Sequence, residues 1–134
     1  MTALTNPRGD PRGQCAADPL SDAAPPDAAA VEKAGGRVVF LDEKRFRDVK
    51  LDGQRLKTWP LYPEIIESDL VINVPIAKHH SLSKASLCMK NYMGIIGGRR
   101  NAWHQDLSSC LVDITAYMKP QLCVLDAVRV LTRH

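Results

Sequence analysis

Two short apolar runs set the frame for this chain: DLVINVP at 69–75 and LCVLDAV at 122–128. Both are continuous rather than alternating and too short for a core helix, the pattern of a strand buried on both faces. Between them, DLSSCLVDITAYM (106–118) spaces Leu107, Cys110, Leu111, Ile114, Tyr117 and Met118 along one helical face, with Asp106 in the N-cap place and Pro120 as a stop. Strand, helix and strand in that order join parallel neighbours, because a parallel pair needs a long crossover. The expectation is an α/β fold, a mostly parallel sheet with helices packed on its faces.

The remaining elements are shorter. RVVFL (37–41) reads as a strand ended by Asp42, and FRDVKLDGQRL (46–56) as a small hairpin around Asp52-Gly53, a dipeptide suited to positive φ. LYPEIIES after Pro60 reads as a short helix, residues 83–93 contain another, and AAAVEKA forms a third that ends at Gly35-Gly36. Residues 1–28 are rich in Pro, Ala, Asp and Gly without periodicity and read as a disordered or mobile arm; residues 29–134 then form the α/β domain. With 134 residues there is room for one core, not for separate cofactor and substrate domains.

Charge is distributed unevenly. Residues 1–69 hold 12 acidic and 10 basic side chains, residues 70–134 hold 3 and 8, and no Asp or Glu occurs between Asp69 and Asp106. Such a local excess favours an anionic partner. Nucleic acid is disfavoured, since the lysines are interleaved with apolar residues and the chain has only seven aromatic side chains for base stacking. No apolar run approaches the ~20 residues that cross a bilayer, and no charged segment leads an apolar core at the N-terminus, so a cytoplasmic protein without a membrane partner is expected. Cys15, Cys88, Cys110 and Cys123 are too dispersed for a C-x-x-C site; they are expected as reduced, mostly core thiols, and no iron–sulfur cluster is expected in this chain.

Ligands of open α/β sheets gather beyond the carboxyl ends of the strands. There the sequence offers Lys78, His79 and His80 on a loop after the first long strand, and Asp126 at the end of the last. Neighbouring residues of an extended segment point opposite ways, so His79 and His80 are not expected to face one site, and one of them serves as a structural hydrogen-bonding partner. Lys90 and Asn91 fall on a helix, followed by Gly97, Gly98, Arg99 and Arg100, where bare amides beside arginine suit an anion. The spacing fits neither G-x-G-x-x-G nor the P-loop pattern. His104, beside Trp103, is a candidate for proton transfer or for metal ligation with His79 or His80, although a third ligand is not evident, and the metal is left open. Asp113 falls on the exposed or semi-exposed side of its helix and is expected to be solvated. Asp126, an acid at the end of an apolar strand, needs a partner or a function.

These residues together carry a resemblance. The stretch DLVINVPIAKHHSLSKASLCMKNYMGIIGGRRNAWHQDLSSCLVDITAYMKPQLCVLDAVRVL resembles the core of the family known as domain of unknown function 362, through Asp69, Pro75, Lys78, His80, Lys90, Asn91, Gly94, His104 and Asp126. The likeness extends upstream to about Gly35. It implies an enzyme-like α/β domain of unestablished activity. Taken with the charge pattern, the leading expectation is a small anionic ligand at the strand ends, bound by Lys78, Lys90, Asn91, Gly97, Gly98, Arg99 and Arg100, with His80, His104 and Asp126 as the candidates for proton transfer or metal ligation. Some relatives carry a ferredoxin-like module, which implies a redox alternative linked to an iron–sulfur partner. Relatives also continue past RVLTRH through a glycine-rich loop and further strands, so the resemblance implies an incomplete domain. A truncated or accessory protein without independent activity, whose sheet edge needs a second copy or a larger protein partner, is the other alternative.

Overall fold

The computed structural model describes residues 2–5, 14–17 and 28–132. The expected arm over 1–28 falls mostly outside the described residues; within it, β1 (Thr2–Thr5) and β2 (Gln14–Ala17) are strands. Helix α1 (Ala28–Lys33) follows. It ends as the glycine pair predicts: Gly35 takes φ 82°, its N–H bonds to Glu32 O, and the Gly36 N–H reaches Val31 O. That pair of bonds is a Schellman cap.

Strand β3 (Arg37–Phe40) leads into a 3-10 turn at Glu43–Arg45, then to the hairpin of β4 (Arg47–Lys50) and β5 (Thr58–Leu61). The Arg45 guanidinium pairs with Glu64 and lies 5.4 Å from the Tyr62 ring centre, fastening the turn to α2 (Pro63–Ile66). Next come β6 (Leu70–Asn73), β7 (Ile76–His80) and β8 (Lys84–Ser86). Helices α3 (Cys88–Asn91) and α4 (Leu107–Met118) precede β9 (Leu122–Cys123) and β10 (Asp126–Leu131).

Strands and helices are thus mixed as expected, but the sheets are small and of mixed direction. One runs in the order β3-β2-β1-β6-β9, a second in the order β10-β7-β8, and β4 pairs with β5. The two apolar runs do meet in parallel, Ile72 opposite Leu122 and Asn73 opposite Cys123, and the ladder resumes with Asp126 opposite Ile76. The pairs β7–β8, β4–β5, β1–β2 and β1–β6 are antiparallel. The reason at β7–β8 is the length of the connection: three residues allow a hairpin and exclude a crossover.

Three further expectations are corrected. Lys78, His79 and His80 lie on a strand, not on a loop, and the first half of the 83–93 segment is β8, leaving α3 only Cys88–Asn91. The 122–128 run is not buried: Leu122, Val124 and Leu125 are exposed, and Val128 is 91% accessible. The core lies instead under β5, α2, 92–96 and α4, where Leu61, Ile65, Ile96, Trp103 and Ile114 are almost fully buried. Trp59 and Trp103 meet edge to face at 5.4 Å, seating the 3-10 segment Arg100–Gln105 on the β4–β5 hairpin.

Candidate functional site

Alternation along β7 puts Lys78 and His80 on one face. The turn between β7 and β8 is closed by His80 itself, whose Nδ1 accepts the backbone N–H groups of Leu82 and Ser83, both at 3.3 Å. An accepting Nδ1 carries no proton, so the neutral ring holds its proton on Nε2. His80 is therefore the structural partner expected of one histidine. Its ring stacks on His104 with centroids 5.6 Å apart and planes inclined by 24°. His104 is presented by the 3-10 segment that buried Trp103 anchors, and its own Nδ1 is sheltered from solvent with no hydrogen-bonding partner among the described residues.

Lys90 reaches the same place from α3, its Nζ 3.5 Å from Met93 Sδ. Burial first, then the charges of Lys78 and Arg100, pull the Lys90 ammonium below the ordinary lysine value. Burial likewise leads in pulling His80 below the ordinary histidine value, followed by Lys90, His104, Lys78 and His79. The charged neighbours acting on both groups are bases. A partly desolvated cation crowded by cations is unfavourable by itself and becomes favourable beside an anion.

Arg100 joins this cluster to a neighbouring cavity of about 250 Å³, lined by Glu43, Phe46, Gly94, Ile96, Gly97, Gly98 and Arg100. One guanidinium nitrogen of Arg100 donates to Met93 O at 3.3 Å. The glycines have structural duties here. The Gly97 N–H donates to Pro60 O at 2.8 Å and its carbonyl accepts the Trp59 indole N–H, so its amide is committed to the hairpin. A Cβ at Gly97 would come within 2.7 Å of the Phe46 ring, and Gly98 takes φ 66°. Arg99 is exposed at the rim.

Asn91 and Asp126 hold structural contacts. The Asn91 amide donates to Asn73 Oδ1 at 2.6 Å, which fixes α3 and with it Lys90. Asp126 is exposed at the start of β10, where its Oδ1 accepts the Val128 N–H at 3.0 Å. The structure therefore brings together Lys78, His80, Lys90, Arg100 and His104. Among the described residues no group of three or more His, Cys, Asp and Glu is arranged to hold a metal ion.

Two polar residues have structural roles that the sequence does not announce. Asn73, fully buried, donates to Cys88 O at 2.8 Å and accepts from Asn91, tying β6 to α3. Its signal was an amide inside an apolar run, which must be paired if buried. Asp113 corrects the expectation of a solvated acid. It is 7% exposed, and its carboxylate accepts N–H groups from Gln54, Arg55 and Leu56 at 3.0, 2.7 and 2.8 Å. Those bonds, Leu56's first, hold the carboxyl below its ordinary range against the opposing effect of burial. Its helical spacing of three from Cys110 and four from Tyr117 placed it at the edge of the buried face.

The family model described as Domain of unknown function (DUF362) matches residues 27–134. A protein named as thylakoid-associated, from Synechocystis sp., is 27% identical over 110 residues, covering 76% of this chain and 31% of its own length. The chain thus spans about a third of that curated relative. No solved structure matches it. No helix among the described residues is long and apolar enough to cross a membrane.

Proposed function

The chain belongs to the DUF362 family, and on that premise we propose that its basic end binds a small anionic molecule, a phosphate or carboxylate compound. The observation that carries the reading is the convergence of Lys78, His80, Lys90, Arg100 and His104 from β7, α3 and the segment before α4, with bases as the charged neighbours of Lys90 and His80. An anion there restores what burial and mutual repulsion remove. Lys90 and Arg100 supply charge, Lys78 draws the ligand from solution, and the stacked His80–His104 pair offers a neutral imidazole for accepting or passing a proton. Asn91 acts as a positioning residue through Asn73, and Gly97 through packing against Phe46. The proposal sets the protein in the cytoplasm with a dissolved ligand; the relative's name makes an anionic lipid headgroup the other source of the same chemistry.

Titration calorimetry of the purified chain with inorganic phosphate and with small dicarboxylates tests this. Saturable heat that Lys90→Ala abolishes while the thermal transition persists supports the site; equal affinity in the variant removes Lys90 from it. Co-sedimentation with phosphatidylglycerol vesicles separates headgroup from dissolved anion.

A second reading, a chain that works in association, is favoured by the apolar exposure of β10, an edge strand with Val128 almost wholly accessible. Its occupant would be a second copy. Self-association in sedimentation velocity that Val128→Lys eliminates supports it, and a monomer at all concentrations refutes it.

A further inference from the structure

Cys88 opens α3 and Cys123 ends β9, and one residue brings both to the same place. In the parallel ladder Asn73 is the partner of Cys123, which sets their backbones at strand spacing of about 4.8 Å. The Asn73 carbonyl accepts the Val124 N–H at 2.9 Å, fixing that end of β9, while its side-chain amide grips the Cys88 carbonyl at 2.8 Å. Ladder partners project to one face of the sheet, so the Cys123 side chain stands on the same face as the Asn73 amide that holds Cys88; burial first, then Cys123, raises the Cys88 thiol. Cys123 is exposed and Cys88 partly covered, whereas Cys110 is in the core. An accessible thiol beside a sheltered second one is the arrangement in which oxidation of the first is resolved by the second.

We infer that Cys88 and Cys123 form a reversible dithiol–disulfide pair, a modification site at the junction of α3 and β9. With hydrogen peroxide as oxidant the step balances. The Cys123 thiolate attacks the peroxide oxygen, the O–O bond breaks, and water leaves behind a Cys123 sulfenic acid. The Cys88 sulfur then attacks the Cys123 sulfur; the S–S bond forms as the S–O bond breaks, and the oxygen departs as a second water carrying the Cys88 proton. Two thiols and one hydrogen peroxide become one disulfide and two waters, and a small thiol reverses the change by exchange. In a reducing compartment the pair rests as thiols. Because α3 also carries Lys90 and Asn91, the bond staples the helix that presents the ammonium to the strand beside Asn73.

The test uses the full chain with one equivalent of hydrogen peroxide, thiol blocking under denaturing conditions, proteolysis and mass spectrometry. The expected product is one cross-linked peptide pair joining Cys88 to Cys123, lost on treatment with dithiothreitol, and a random mixture of pairings when guanidinium is present during oxidation. In Cys88→Ser, Cys123 should instead stop as a sulfenic acid trapped by dimedone. Bonds through Cys15 or Cys110 in comparable yield from the native chain overturn the inference. So does over-oxidation of Cys123 to sulfinic acid while Cys88 remains a thiol. Neither readout depends on whether an anion binds near Lys90, so this inference and the proposed function stand or fall separately.

Discussion

The loop clasped by Asp113 and the basic end around Lys90 treat buried charge in opposite ways. At the clasp a carboxylate leaves water and meets three backbone N–H groups of this chain, so its charge is answered from within. At the basic end an ammonium and an imidazole are partly drawn out of water and meet other bases. The first arrangement is architecture: it lowers the energy of the native loop and asks for nothing more. The second is left with repulsion that an anion of the proposed kind would relieve, and the proposed function rests on that asymmetry.

The sharpest way to break this comparison is Asp113→Ala. Losing the acceptor leaves buried donors unsatisfied, with an expected cost of about 3 kcal/mol in urea unfolding. A loss below about 1 kcal/mol would mean that water replaces the carboxylate readily and that the clasp is not structural. Gly53→Ala attacks the same clasp sterically, since a Cβ there would come within 2.3 Å of Asp113 Cγ. About 2 kcal/mol is expected, in the range of overpacked sites.

The opposite response is expected at the basic end. Lys90→Met should lower phosphate affinity about tenfold, equivalent to about 1.4 kcal/mol, while leaving the melting temperature unchanged or higher. A variant that binds normally but unfolds early would make Lys90 a structural residue like Asp113. The smallest effect is in pH. His80 is held below its ordinary value of 6.5, so the unfolded chain binds the proton more readily, and stability falls as pH drops from 6.5 toward the folded value. Phosphate should reverse that sign, because it favours the protonated ring. Calorimetry near pH 6 in buffers of different ionisation enthalpy should then show proton uptake on binding; zero uptake would separate His80 from the anion. For Asp113 the lowered value acts the other way: its contribution is complete above 3.8 and is lost as pH falls through the folded value.

Much of the basic end was legible in the sequence because its signal is local composition. A span without carboxylates, with Lys78, His80, Lys90, Arg100 and His104 spread through it, yields the same cluster under many arrangements of its strands. The parallel meeting of 69–75 with 122–128 was legible too, since only a long crossover lies between them. What composition could not show was pairing across distance. The clasp depends on a turn meeting a helix residue far along the chain, and neither half signals the other. The exposure of Val124 and Val128 was misread for a related reason: apolar character reports what a strand would favour covering, not whether this chain supplies the cover. Sheet direction at β7–β8 is hidden in the sequence because KHH after Pro75 has the polar character of a loop, whereas it forms one arm of a hairpin with a three-residue turn.

The Asp113 clasp has a consequence for the order in which the chain acquires its structure. The β4–β5 hairpin joins residues close in sequence and can pair early, whereas the bond from Leu56 to Asp113 closes a span of 57 residues. Loop closure over that span must wait for α4 to form and dock. On a chain emerging from the ribosome, the 51–57 loop therefore stays open to solvent until α4 has been made, and its protection from hydrogen exchange should appear together with that of α4 rather than with the strands it connects.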